Sequence, residues 1–279
     1  MKSLIKYLLP VLIVAVLSSL SGCTKAKYDD DYTKGDPPPI AGGYVNSREV
    51  ASSNLVAYWA FNGSLTDSVS GTAGTNAGTS FSSGFKGQAL QGADSAYALA
   101  VPSDAVKSMT MYTLSFWVNT SQNKGATGIV SLGNTQDFWG NINVFFENGG
   151  TSSKARFKTI FEDSGQVNDN GIQDVENGFN NWVQYLVTYD GSGTIKSYVN
   201  GSMAAAKTIA GAGPIRFINV GPIVFGTLHF MTKPSSTSGS TSQDWAGYLT
   251  GKLDEVRIYN KALTDLEISA LYKLEKQGR

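Results

Sequence analysis

Trp182-Val-Gln-Tyr-Leu-Val-Thr-Tyr189, Asp190-Gly-Ser-Gly193, Ile195-Lys-Ser-Tyr-Val199 and Asn200-Gly201 lie within one short stretch of the chain. The two longer runs alternate apolar and polar residues, the period of a strand with one face in a core. Asp-Gly-Ser-Gly and Asn-Gly are turn sequences, and Asn-Gly between alternating runs is the strongest short signal of a hairpin. The stretch therefore reads as an antiparallel meander, and the same pattern extends in both directions. Leu55, Ala57, Trp59 and Phe61 fall on one face of a run, with Val56, Tyr58 and Ala60 on the other. Tyr112–Val118, Ile215–Val220, Ile223–Phe225 and Leu253–Tyr259 read as further strands. The Asn-, Asp- and Gly-rich segment that carries Glu162-Asp163 and Asp174-Val-Glu176 reads as loop. One helix is expected, at the C-terminal end. Thr264 and Glu267 have capping-box spacing, and Leu266, Ile268, Leu271 and Tyr272 supply its apolar face. The expectation is an all-β, two-sheet antiparallel sandwich with one short C-terminal helix.

Composition agrees. Charged residues are only 16%, with 31 Gly, 13 Tyr and 13 Phe, which suits short strands and tight turns better than a helical bundle. The first residues follow a different logic. Lys2 and Lys6 precede the apolar run Leu8–Leu17, and small residues lead to Leu20-Ser21-Gly22-Cys23. This is the layout of a secretory signal, and the run is shorter than the roughly 20 residues a membrane-spanning helix needs. Its end resembles the lipobox of bacterial lipoproteins, which implies that residues 1–22 are a signal peptide and Cys23 carries lipid. Losing residues 1–22 removes Lys2 and Lys6 and no acid, so 22 basic against 22 acidic residues becomes 20 against 22. That balance argues against nucleic-acid binding. Residues 23–50 read as lipidated cysteine and disordered tether, through Asp29-Asp30-Asp31 and Pro37-Pro38-Pro39, and residues 51–279 as the folded domain. The three aspartates loosely resemble the acidic export signal of surface-exposed lipoproteins of the Bacteroidetes. The expected location is the outer membrane, on its periplasmic or cell-surface face.

Five blocks in order then carry a second resemblance: Leu55–Gly63 with Asp67-Ser68, Gly84–Leu90, Leu114–Val118, Trp182–Gly201, and Gly251–Leu263 with Ile268–Tyr272. Together they resemble LamG-like domains of the concanavalin A-like jelly-roll class, which hosts lectins, adhesion modules and glucanases. The resemblance implies a structural calcium ion held by Asp67, by Asn76 in the Gly71–Gly78 loop, and by Asp254. Turn-forming Asp and Asn that bond their own backbone are the alternative reading of the same residues.

Catalysis is weakly supported. Glucanases of this class place acids as Glu-x-Asp-x-x-Glu, and here Lys252-Leu-Asp254-Glu255-Val-Arg257 puts Lys and Arg at the outer positions. The single histidine, His229, excludes metal sites built on several histidines. Asn168-Asp169-Asn170-Gly171 resembles part of an EF-hand loop, but Gln166 and Asn177 fall where its first and last ligands belong. Binding of sugar needs aromatic faces with polar groups beside them. Trp139, in Gln136-Asp137-Phe138-Trp139-Gly140-Asn141, and Trp245, after the Ser/Thr-rich run 235–243, lie in polar surroundings. Asp137, Trp139, Asn141, His229 and Trp245 are the candidate ligand site. The reading is a lipid-anchored, non-catalytic envelope protein that binds a glycan. A protein-interaction or adhesion module, with an envelope protein as partner, and a glycoside hydrolase remain open.

Overall fold

The computed structural model describes residues 37–279. Cys23, the signal segment and the tether up to residue 36 lie outside the described residues. Two eight-stranded sheets face each other. The first sheet runs Ser202–Thr208, Thr194–Val199, Val183–Tyr189, Tyr112–Asn119, Lys252–Tyr259, Gln88–Gln91 and Ser80–Ser83, with Leu55–Trp59 also paired to Lys252–Tyr259. The second runs Gln166–Glu176, Lys154–Asp163, Ile142–Phe146, Ala126–Asn134, Val220–Phe225, Tyr97–Ala100 and Thr75–Ala77. The pairings are antiparallel except for the two-residue strand Ala246–Gly247, which adds parallel to Ala126–Thr127. This is the expected sandwich.

The turns behave as their chemistry requires. Asn200 and Gly201 both adopt positive φ, at 50° and 74°, closing the hairpin between Thr194–Val199 and Ser202–Thr208. Asp190 Oδ1 accepts from the backbone N–H of Ser192 and Thr194 and shapes the preceding turn. The capping box forms, with Thr264 Oγ1 accepting from Glu267 N and Glu267 accepting from Thr264 N, at the start of the helix Asp265–Lys276.

Three segments differ from the sequence reading. The region read as loop around Glu162 and Asp174 forms the longest hairpin, Lys154–Asp163 with Gln166–Glu176. Its polar residues alternate on the outward face while Ala155, Phe157 and Phe161 enter the core. Ile215–Asn219, read as strand, is irregular: Ile215 and Phe217 are buried, but Asn219 has φ of 48° and turns the chain into Val220–Phe225. The tether expected to reach residue 50 ends earlier, because Val50 and Ser47 are buried and Ile40 and Tyr44 pack on the C-terminal helix region. Asn46 and Glu49 form a second capping box there.

The inner faces make one apolar core, in which Trp59 and Phe61 meet Phe225 edge-on at 4.9 and 5.2 Å and Phe157 stacks on Tyr185 at 4.6 Å. The outer face of the first sheet is also covered. Helix Asp265–Lys276 lies over it and brings Glu275 to Arg257, Trp117 and Gln184 at 2.9, 2.7 and 2.9 Å. Arg257 also donates to Glu255 and Ser47, and its guanidinium lies 4.0 Å from the centre of the Tyr58 ring. Trp117 is held between Phe85 and Tyr272. Removing Glu275 leaves Arg257 to Glu255 and strands the Trp117 and Gln184 donors, and breaking up a buried charge cluster costs about 3–5 kcal/mol. Glu275→Ala is therefore expected to lower the unfolding free energy by about that amount. Urea unfolding checks this, and a loss below about 1 kcal/mol, the level of an exposed pair, would show that the pair is not buried in solution.

Candidate glycan-binding face

Among the described residues, the outer face of the second sheet carries no α-helix, and the short 3-10 helix His229–Met231 lies against it. The chain between Asn134 and Asn143 and the chain between Gly226 and Trp245 cross it instead, and they bring together an aromatic cluster. Phe138 stacks on Phe230 at 4.9 Å, and Trp139 stacks on Phe145 at 5.8 Å and meets Phe138 edge-on at 5.0 Å. Trp245 completes it, 5.6 Å from Phe230 and 6.3 Å from both Phe138 and Trp139. Phe145 and Phe230 are buried, Phe138 and Trp139 are half-buried, and Trp245 is 38% exposed. The two tryptophans, far apart in sequence, thus share one partly open apolar shelf.

Three asparagines fix the loop that carries Trp139. Asn134 Oδ1 accepts from the N–H of Gln136 and Asp137, a local turn. Asn141 donates to the carbonyls of Gly133 and Ile218 and accepts from Ile218 N. Asn143 donates to the Gly140 carbonyl. A backbone buried outside a sheet needs such side-chain partners. The Asp137 carbonyl accepts from Thr237 Oγ1 at 2.8 Å and lies 3.4 Å from His229 Nε2. His229 is fully buried, and burial holds its imidazole down at about 4, so it is neutral near pH 7.

Beside the shelf, Asn134 Nδ2 bridges two carboxylates, donating to Asp137 Oδ2 at 2.8 Å and to Glu162 Oε2 at 2.9 Å. Burial pushes Glu162 up to about 7; the Asn134 bond works against the shift and the nearby Asp137 adds to it. Near neutrality this carboxyl both donates and accepts.

Of the five predicted ligand residues, Trp139, Trp245 and Asp137 line this face. Asn141 and His229 sit beneath it as supports, since both are fully buried and neither offers a surface to a ligand. Phe138, Phe230, Asn134 and Glu162 were not foreseen. The Phe138-Trp139 doublet was a readable signal; Glu162 became visible only when its segment proved to be a strand.

The residues implied for calcium do not fit it. Asp67 accepts from Tyr58 N and Val69 N on Oδ1 and from Ser70 N and Ser70 Oγ on Oδ2, which fills its acceptor directions. Asn76 bonds Thr79 N, Oγ1 and carbonyl from its place in the second sheet. Asp254, fully buried in the first sheet, accepts from Lys86 N and Glu255 N, and burial first of all pushes it up to about 7. Calcium takes six to eight oxygens, and among the described residues no three His, Cys, Asp or Glu side chains gather for a metal. These three act as turn and loop fasteners.

Because the folded state raises Glu162 from its ordinary 4.5 to about 7, it favours the proton. The contribution is full below pH 4.5 and is lost as pH rises through 7. Gln cannot ionise, so the melting temperature of Glu162→Gln minus that of the parent should grow from pH 5 to pH 8 and then level. A difference that stays constant with pH would mean that Glu162 ionises as an ordinary surface carboxylate.

A family model described as concanavalin A-like lectin/glucanases superfamily, Laminin_G_3, matches residues 91–269. No curated protein matches the chain. Among solved structures, the binding domain of Paraclostridial Mosquitocidal Protein 1 aligns with a TM-score of 0.59 at 16% identity, over 79% of this chain and 52% of that one. Domain 4 of AbnA, a GH43 extracellular arabinanase from Geobacillus stearothermophilus solved in complex with arabinotriose, aligns at 0.54 and 19% identity over 78% and 98%. The botulinum neurotoxin serotype G binding domain aligns at 0.57 and 19% over 79% and 51%. The chain spans about half the length of the two toxin domains and almost all of the arabinanase domain. At these identities the structures speak for the fold, and the family match covers more than half of the sequence: the chain belongs to the concanavalin A-like lectin/glucanase superfamily.

Proposed function

We propose that this protein binds carbohydrate without cleaving it, through the shelf formed by Trp139, Trp245 and Phe138, while a lipid on Cys23 holds it at the bacterial envelope. The observation that carries the reading is the pairing of Trp139 and Trp245, 6.3 Å apart and open to solvent on one side. Exposed aromatic faces of this kind lose little on meeting the C–H face of a sugar ring, and a rim of polar groups fixes its hydroxyls. Asp137 supplies that rim on the same face, backed by Asn134 and the buried Glu162. The arabinanase domain solved with arabinotriose supports an oligosaccharide as the ligand class. The toxin binding domains support a receptor on a cell surface as the second reading. Export and lipidation rest on Lys2, Lys6, the apolar run and Cys23.

Affinity electrophoresis through a panel of soluble polysaccharides tests the first part. At least one should retard the parent, and Trp245→Ala should weaken that binding tenfold or more while its melting curve stays parental. Retardation of neither, or equal retardation of both, would rule out the shelf. Detergent phase partitioning tests the anchor: the parent expressed in a bacterium should enter the detergent phase and Cys23→Ala the aqueous phase. Identical partitioning of the two would overturn lipidation.

A further inference from the structure

A second recess adjoins the shelf at one end of the sandwich. It encloses about 470 Å³ between the loop 120–125, the loop around Asp94 and the segment Gly247–Thr250, within the range of small-ligand sites. Trp245 leads directly into it. The Trp245 carbonyl accepts from Ala126 N at 2.9 Å, and Ala246–Gly247 pairs with Ala126–Thr127. Tyr248 therefore stands in the recess, about 10 Å along an extended chain from Trp245. Its hydroxyl is committed to the Met231 carbonyl at 2.8 Å and its ring stacks on Tyr97. What Tyr248 retains to offer is ring surface.

The polar groups around it are unspent. Asp94 and Lys124 are both exposed, and among the described residues neither side chain makes a hydrogen bond or ion pair. Asn123 donates to the carbonyls of Gly125 and Glu147, yet its Oδ1 is buried with no partner. A buried acceptor without a donor is unfavourable, and a ligand hydroxyl can satisfy it. One acid and one base also leave no net charge to select for or against an ionic ligand.

The geometry points to this recess as a second subsite for a neutral oligosaccharide, which stacks on the Trp139–Trp245 shelf and continues past Trp245 to Tyr248, Asp94 and Lys124. The inference rests on the shelf reading and adds a length requirement: a single sugar reaches one of the two places, whereas a short chain reaches both. Asp94 accepts from hydroxyls, Lys124 donates, and the Tyr248 face packs against a ring.

The test uses arabinan, xylan, mixed-linkage glucan and galactomannan as probes, with polygalacturonate as the anionic control. An acid hydrolysate of whichever neutral polymer binds is then fractionated by length and titrated calorimetrically. For the parent, affinity should rise at least tenfold from the disaccharide to the longer oligomers. In Asp94→Ala/Lys124→Ala, whose substitutions lie on the surface, the long oligomers should fall to the affinity of the short ones while the short ones bind as before. Unchanged long-oligomer binding in that variant, or parental affinity independent of length, would overturn the recess and leave the shelf intact. Parental binding by Trp245→Ala would overturn the shelf instead, and preference for polygalacturonate would overturn the neutral class.

Discussion

Arg257 is the constraint on which the architecture turns. It rises from the centre of the first sheet, on its outer face, fully buried, with Glu255 at 2.6 Å and Glu275 at 2.9 Å. A charge there is tolerable only if protein supplies what water would have supplied. The C-terminal helix brings Glu275, the β-bulge between Asp254 and Arg257 turns Glu255 toward it, and the first residues of the domain bring Ser47. Each of these elements is thereby tied to one guanidinium. Trp117 and Gln184 share the same Glu275 oxygen, so the helix is placed by directional bonds as well as by its apolar face.

The two outer faces of the sandwich are finished by different means, and this separates stability from recognition. On the first sheet the helix, Phe85 and the chain around Val50 cover the middle of the face, and the edge strand Ser202–Thr208 stays exposed. On the second, loops cover only part of it, and Phe138, Trp139 and Trp245 remain in contact with water. An apolar surface left open on an otherwise well-covered domain marks a place where something else is meant to sit. The asparagines beneath it fasten the loop that carries Trp139, so the ligand proposed for the shelf would meet a preformed surface and order little on arrival.

Much of this was written in local sequence. Alternation exposed the strands around Trp59, Phe116 and Tyr185, Asn200-Gly201 exposed a hairpin, and Thr264 with Glu267 exposed the helix start, because each signal depends on near neighbours in the chain. The hairpin from Lys154 to Glu176 was masked by its polar outward face: Glu162, Asp169 and Asp174 in sequence look like loop residues, and only the pairing of the two strands shows that they share one face, with Phe157 and Phe161 on the other. At the site, Trp139 and Trp245 stood out through their polar surroundings. His229, the one histidine of the chain, and Asn141, in the polar stretch around Trp139, are grouped with them in the sequence reading, but they serve the loop from below, and burial is not readable from residue type alone. Asp67, Asn76 and Asp254 were grouped by family likeness, while the structure gives each its own set of backbone partners, with the Ser70 hydroxyl added at Asp67 and the Thr79 hydroxyl at Asn76.

The way the first and last described residues are fastened has a mechanical consequence. Arg279 donates from Nε to the Val45 carbonyl at 2.8 Å, and Tyr44 and Val50 pack with Leu263 and Leu271. A pull delivered through residue 38 is therefore carried into the C-terminal helix and the Arg257 cluster, on the first sheet. The aromatic shelf belongs to the other sheet and lies off that line of force. A load entering along it would strain the first sheet first, while the geometry of Trp139 and Trp245 on the second stays undisturbed.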